Sequence, residues 1–322
     1  MKIIAVETSC DDTSVAVIDG PRKVLSLKTI SQNREHAKFG GVVPELASRY
    51  HANSILSVAN DALSEAFISI DEIDSVAVTV TPGLVGPLLV GLSFAKGVAI
   101  ALDIPIVGVN HLYAHALANL IENADLSPPF LCLIVSGGNT SIVDVIDYVN
   151  FRTISKTLDD AVGEVFDKVA RKLGISYPGG PTLDNMAKKG KFNVFKMPKP
   201  KIANYNFSFS GIKTWAINII DKLSSMDEKN DLAASLVHGI SIYVTEILIK
   251  IAKKLGRTKI AIGGGVASSF VLRTYISKEC KINGFDFFYP SLKYCTDNAA
   301  MIGVQGFYNL KYSKNFFDPD NL

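Results

Sequence analysis

Short apolar runs separated by polar turns recur along this chain in a repeating order. Three of them, at about 2–7, 13–18 and 24–31, read as strands. A loop with Gly40-Gly41 follows, then a helical stretch from about Pro44 to Phe67. Ser75 to Ala95 carries no charged residue, which is long enough to cross a bilayer. Thr81-Pro-Gly83 and Pro87 interrupt it, so the reading is a buried strand at 75–80, a turn, and a helix at about 84–102 in a soluble α/β core. Strand 104–109 comes next, and a further helix opens at His111.

Beyond Glu122–Pro129 the order begins again. Apolar runs at 130–135, 140–146 and 151–155 read as strands, and a helix is predicted at 158–173. A Gly/Pro/Lys-rich insert runs from Tyr177 to about Ser210. A helix at about 232–255, strand 259–262, another helix, strand 285–289 and a last helix from Thr296 complete the pattern. Three strands followed by helix–strand alternation, twice over, predict a duplicated α/β domain with mixed sheets and a cleft between the halves. The expected division is 1–125, with the helix at about 296–312 packing back on it, and 126–295, which carries the Lys-rich insert at about 177–213.

A length of 322 residues suits two domains with substantial cores. Net charge is +2, so any contact with nucleic acid must come from a local patch. Cys10, Cys132, Cys280 and Cys295 show no C-x-x-C spacing and read as reduced, mostly buried thiols. Met1 leads straight into the first strand, so no signal or transit peptide is expected, and the predicted location is the cytoplasm, with no membrane association.

His111 and His115 are two of the five histidines. Four residues apart on a helix, both imidazoles share one face and can share a metal such as zinc or iron. The alternative is a helix that merely packs. Leu112 stands where a zinc peptidase needs its glutamate base, which argues against that chemistry. Asp297, in Cys295-Thr-Asp-Asn298 at the start of the last helix, is the candidate third ligand; otherwise it caps that helix. Each half also has a polar hairpin between its first two strands: Glu7-Thr-Ser-Cys-Asp-Asp-Thr13 and Ser136-Gly-Gly-Asn-Thr140. Small residues let backbone N–H groups approach an oxyanion, though the same residues make ordinary turns. Gly263-Gly-Gly265, between a strand and a helix, brings bare backbone to a ligand, a nucleoside rather than a dinucleotide, or else permits close packing. Asp160, Glu164 and Asp167 are expected along one helical side, as a solvated acidic face if nothing else.

These stretches, with Gly40-Gly-Val-Val-Pro-Glu-Leu-Ala-Ser48, Gly83-Leu-Val-Gly86, Gly163-Glu-Val-Phe-Asp-Lys168, Tyr177-Pro-Gly-Gly-Pro181 and Phe207-Ser-Phe-Ser-Gly211, resemble the TsaD/Kae/Qri family, in its bacterial TsaD branch, over residues 1 to about 306. The resemblance implies a duplicated two-domain fold of the actin-like and Hsp70-like (ASKHA, RNase H-like) type. It implies transfer of threonylcarbamoyl from threonylcarbamoyl-adenylate to N6 of the adenosine 3′ of the anticodon in tRNAs reading ANN codons. It implies a divalent ion, iron or zinc, on His111, His115 and Asp297, with an adenine nucleotide in the same cleft. Family substrate positions correspond to Ile134, Val135, Ser136, Gly137, Gly138, Asp167, Gly180 and Asp184, and the glycine run adds Gly264 and Gly265 beside the adenosine. Ser269 stands where the family usually has Asn, and Asn139 where bacterial members often have His.

The expected mechanism is metal-assisted acyl transfer, with Glu7 or Asp11 as candidate base. The rival readings are a small-molecule kinase on the same fold and a non-catalytic paralogue. The apolar helix 84–102 and the helix 44–67 offer an association face, where the resemblance implies a TsaB-like paralogue, with a TsaE-like ATPase also required. Between Asp184 and Asp221 there is no acidic residue, while Lys188, Lys189, Lys191, Lys196, Lys199, Lys201 and Lys213 alternate with Phe192, Phe195, Tyr205, Phe207, Phe209 and Trp215. This run is the expected tRNA contact, led by Lys188, Lys189 and Lys191, with Phe207 and Phe209 anchoring it to the domain.

Overall fold

Strands buried on both faces lose the alternation of half-exposed ones, and the central strands here do so. In the computed structural model, which describes residues 1–200 and 202–313, β1 (Lys2–Glu7) is buried from Ile3 onward. The chain divides into two compact units. The first takes in Met1–Pro128, Ile146–Phe151 and the chain from Pro290; the second takes in Pro129–Val145 and Arg152–Tyr289.

In the first unit β1 is followed by β2 (Asp12–Asp19), β3 (Lys23–Ser31), α1 (Asn33–Ala37), α2 (Pro44–Ala66), β4 (Ser75–Thr81), α3 (Val85–Leu102), β5 (Ile106–Asn110), α4 (His111–Leu117) and α5 (Asn119–Glu122). The sheet order is β3-β2-β1-β4-β5. β1 runs antiparallel to β2, pairing Glu7 with Ser14, and β4 is parallel to both β1 and β5. One sheet face, through Ile4, Val6, Val15 and Val17, packs with Ile55, Val58 and Ala62 of α2 and Ala95 and Ala99 of α3.

The second unit holds β6 (Phe130–Val135), β7 (Thr140–Val145), β8 (Phe151–Lys156) from Arg152 onward, α6 (Val162–Lys172), α7 (Gly180–Ala187), α8 (Ser210–Ile220), α9 (Met226–Leu255), β9 (Lys259–Gly263), α10 (Phe270–Asn283) and β10 (Asp286–Phe288). Its sheet order is β8-β7-β6-β9-β10, with β6 antiparallel to β7 and parallel to β9. The order, and the directions of β6, β7, β9 and β10, repeat those of the first sheet, so the duplication expected from element order is present in the pairing itself. The last helix, α11 (Ala299–Tyr312), belongs to the first unit, where Gly303 and Gly306 lie against Ile18 and Ala77.

Several boundaries differ from the sequence reading. The helix expected at 158–173 begins only at Val162. Asp159 is drawn away: its carboxylate accepts from Phe209 N (2.7 Å), Ser210 N (3.3 Å), Ser208 Oγ and Ser210 Oγ, and so caps α8 from fifty residues upstream. Asp160 also precedes the helix, bridging Lys168 and Lys213 at 3.0 and 2.7 Å, so the acidic side expected of Asp160, Glu164 and Asp167 is not one helical face. Both α7 and α8 lie where the sequence read an irregular insert or nothing. α9 starts at Met226 rather than 232, behind a Ser225/Glu228 capping box that the sequence does contain. α3 and α9 are each long and apolar enough to span a membrane, but 72% of the apolar window of α9 is buried in its own unit, as in a core helix, against 22% for α3.

Candidate metal centre and substrate loops

β5 ends at Asn110, whose Oδ1 accepts from Leu112 N and Tyr113 N and so starts α4 at once. His111 and His115 therefore fall on the first two turns of one helix, with ring centroids 4.7 Å apart and edge-on. Asp297 approaches from before α11. Asn298 caps that helix through Met301 N at 3.0 Å, so the capping role left open for Asp297 belongs to its neighbour. Asp297 Oδ1 stands 3.2 Å from His115 Nε2 and 3.5 Å from His111 Nε2. One ligand atom from each of the three residues lies within 4.8 Å of the others. Separations near 3.3 Å are those between ligands on one ion with bonds of about 2.0–2.1 Å, and two neutral imidazoles with a carboxylate suit zinc or iron and leave positions open. The donor set fits a divalent ion.

Glu7, at the end of β1, is fully buried. Its Oε1 accepts from Ser9 N at 2.5 Å, and its Oε2 accepts from Thr79 Oγ1 at 2.6 Å and stands 2.9 Å from His111 Nδ1. Ser9 Oγ is 3.1 Å from the same nitrogen. A proton held on Nδ1 by these acceptors leaves Nε2 free for a metal, the arrangement in which a carboxylate orients a ligating imidazole. With both oxygens engaged, Glu7 is placed to orient rather than to abstract a proton from substrate.

The charges follow from this packing. Burial opposes a charged His111, yet the Glu7 and Asp297 carboxylates outweigh it and raise its pKa to about 9. Burial would likewise raise Asp297, but the two imidazoles lower it to about 2. His115, enclosed completely, is lowered by burial. Asp11 is pushed up chiefly by burial, and Asp12 by burial and the neighbouring carboxylates, to about 7. The Cys10, Cys132 and Cys280 thiols are also pushed up, chiefly by burial, so these three are not activated.

The other expected positions belong to the second unit. Gly137 and Gly138 are exposed at the tip of the β6–β7 hairpin, with open space where a Cβ would stand. Ser136 N donates to Asn139 O (2.8 Å) and Asn139 N to Ser136 Oγ (3.1 Å), so Asn139 serves the turn. Ile134 and Val135 are fully buried, which leaves only their backbone for a ligand. Asp167 accepts from Gly179 N at 2.7 Å and so fastens α6 to the segment that opens α7 at Gly180. Gly264, at φ 89°, lies where a Cβ would come within 2.4 Å of Val135 O, so only glycine fits beside β6. Gly265 begins a short 3₁₀ turn.

Ser269 caps α10 through Leu272 N (3.2 Å) and donates its hydroxyl proton to Asp184 Oδ1 at 2.5 Å. Its donor is therefore engaged inside the protein. Asp184 also accepts from Phe270 N and faces Lys188 at 3.5 Å. Of the expected tRNA lysines, Lys188 pairs with Asp184 and lies over the Phe270 ring, while Lys189 and Lys191 are exposed. Lys199 and Lys213 pair with Glu246 and Asp160. Phe207 and Phe209 are fully buried, the anchoring role expected of them; Lys201 lies outside the described residues. Sequence reasoning missed Ser9 and Thr79, because nothing local ties them to a histidine 102 residues away from Ser9 or to a glutamate 72 residues away from Thr79.

Fold and site together define a class: a duplicated α/β protein of the actin and Hsp70 type whose first unit carries a His–His–Asp cluster suited to one divalent ion. A family model described as TsaD, tRNA N6-adenosine threonylcarbamoyltransferase, matches residues 23–304. The chain belongs to that family and is an enzyme of that transferase class. Proteins with that name from Clostridium perfringens and Caldicellulosiruptor saccharolyticus are 48% and 45% identical to it over 96% of this chain, and over 92% and 93% of their own lengths. Among solved structures, HypF of T. kodakarensis superposes on 96% of this chain and 48% of its own, with a TM-score of 0.66 at 14% identity. The activator of the 2-hydroxyisocaproyl-CoA dehydratase from Clostridium difficile covers 99% and 100%, with a TM-score of 0.56 at 14% identity. At such identities these two likenesses concern the fold alone.

Proposed function

We propose that this enzyme takes the threonylcarbamoyl group from threonylcarbamoyl-adenylate and attaches it to N6 of the adenosine 3′ of the anticodon in tRNAs reading ANN codons. The observation that carries this is the convergence of His111, His115 and Asp297, held by Glu7 and Ser9, in a member of the family. Those three residues would hold iron or zinc, which when bound supplies a Lewis acid for the carbamoyl carbonyl. Glu7 fixes the His111 tautomer and Asp297 offers the anionic ligand. The backbone N–H groups of Gly137 and Gly138 take the phosphate, with open space at both glycines, while Ser136 N and Oγ hold the turn that presents them. Gly264 and Gly265 admit the adenosine, while Asp167, Gly180 and Asp184 shape the neighbouring segment; Ser269 contributes through Asp184. The adenine amine attacks the carbamoyl carbon, the carbon–oxygen bond to phosphate breaks, and AMP leaves with its electron pair. Asp11, partly exposed and with a raised pKa, is the candidate acceptor of the amine proton.

Lys189 and Lys191, with Lys188, are the proposed tRNA contacts. A TsaB-like paralogue docks on α2 and α3, where Leu56, Phe67, Val85 and Leu89 are 65%, 94%, 74% and 55% exposed. A TsaE-like ATPase supports repeated turnover, and the protein works in the cytoplasm with its tRNA. The test combines the purified chain, the paralogue, the ATPase, threonylcarbamoyl-adenylate and unmodified tRNA, and reads the tRNA nucleosides by mass spectrometry. Threonylcarbamoyladenosine at the one expected position supports the proposal. Its absence with all components present rejects it.

A further inference from the structure

We infer that Thr8 and Ser9 are positioning residues for His111, acting by clasping the loop after β1 onto helix α3. The inference rests on the reading of His111, His115 and Asp297 as metal ligands. Thr8 and Ser9 lie between Glu7, the last residue of β1, and the turn into β2. Thr8 is fully buried, and its Oγ1 donates to Pro87 O, in the first turn of α3, at 2.9 Å. Leu84 N, at the entry to the same helix, donates to Ser9 O at 2.8 Å. Two glycines admit the loop. A Cβ on Gly91 would stand 2.3 Å from Thr8 Oγ1, and one on Gly83 would stand 2.7 Å from Ser9 O. The loop is thus fixed to α3 at two hydrogen bonds and two contacts that exclude even a methyl group.

The other side of the loop meets the imidazole. Ser9 Oγ lies 3.1 Å from His111 Nδ1, and Ser9 N holds the Glu7 oxygen opposite the one that faces that nitrogen. Ser9 therefore places its own hydroxyl on the ring and, together with Thr79 Oγ1 on the other oxygen, holds the Glu7 carboxylate that faces it, and the Ser9 backbone is in turn held by α3. Outer groups of this kind commonly change metal affinity by about 10–100-fold.

A purely packing role for Thr8 makes the opposite prediction from a clasping one. Thr8→Ser keeps the hydroxyl and loses a buried methyl; Thr8→Val keeps the shape and loses the hydroxyl. Zinc affinity of the full chain, measured by competition with a chromophoric chelator, separates them, and the ligand-field spectrum of the cobalt form reports the geometry. We expect Thr8→Val and Ser9→Ala to weaken zinc by about tenfold and alter the cobalt spectrum, with Thr8→Ser close to the parent. Parent-like binding by Thr8→Val, with weaker binding by Thr8→Ser, overturns the inference. Should Thr8→Val not fold, parent-like affinity and spectrum in Ser9→Ala overturn it instead. Failure of the metal reading itself is a separate result: His111→Ala would then bind zinc as the parent does.

Discussion

Asp297 owes its freedom to Asn298. Because the asparagine supplies the cap of α11, the aspartate can turn to the two imidazoles. Asp297→Ala and His111→Ala should each remove most bound metal and abolish transfer while the fold survives; elemental analysis finding full occupancy in either variant would contradict the assignment. Asp12 gives a pH-dependent test at the same scale. Its Oδ1 is buried without a hydrogen bond, and burial with nearby carboxylates lifts its pKa to about 7, from an ordinary value of 3.8. Between those values the folded chain holds a proton that the unfolded chain has lost, so stability falls as pH rises through that window. In chelator-treated protein, Asp12→Asn should remove this slope and stabilise the fold at pH 8 by about 1–2 kcal/mol, allowing for partial exposure. Equal parent and variant stability from pH 4 to 8, by denaturant unfolding, would count against the shift. The imidazole pair was legible from its spacing. The roles of Glu7, Ser9 and Thr79 were not, because the end of β1, β4 and the start of α4 meet only in the folded sheet.

Helices show what local signals carry. The extents of α2 and α3 were legible from apolar patterning and from the breaks around them. α8 was not, since the carboxylate that caps it belongs to Asp159, beyond the whole insert. α7 hides behind Gly179-Gly180-Pro181, a run that reads as a turn although proline suits a first helical turn. Two glycines make a contrasting test of packing against propensity. Gly97 is exposed in α3, with nothing within 4 Å of a built Cβ. Gly97→Ala should therefore stabilise by about 0.5–1 kcal/mol through helix propensity. Gly306 in α11 has Ala77 Cβ only 2.5 Å from where its own Cβ would lie. There the same propensity gain is opposed by overpacking of about 1–3 kcal/mol, and the net effect of Gly306→Ala should be destabilising. Thermal unfolding of both variants decides; a stabilised Gly306→Ala would mean that α11 can lift off its sheet at no cost.

At the scale of the whole molecule, the lysines of the insert divide by partner. Lys199 and Lys213 are tied to Glu246 and Asp160, whereas Lys189 and Lys191 have exposed side chains. Replacing Lys188, Lys189 and Lys191 together by Ala should weaken tRNA binding and reduce its salt slope by up to about 0.7–0.9 per lost phosphate contact. Affinity for the adenylate should not change. Parent-like tRNA affinity and slope would direct the RNA to another surface.

The duplicated order of strands and helices, the helical spacing of His111 and His115, and the anchoring of the insert by Phe207 and Phe209 could be read from the amino-acid order. These follow from periodicities of two and of 3.6 residues, which act over a few neighbours and leave a mark in the chain. Tertiary structure alone decided that Asn298 and not Asp297 caps the last helix, that Ser269 spends its proton on Asp184, and that Glu7 orients an imidazole. It also decided where α6 begins, by drawing Asp159 and Asp160 to partners about fifty residues on. Such choices compare hydrogen bonds between segments that meet only when the sheets have formed, and a buried polar group takes whichever partner the fold brings to it.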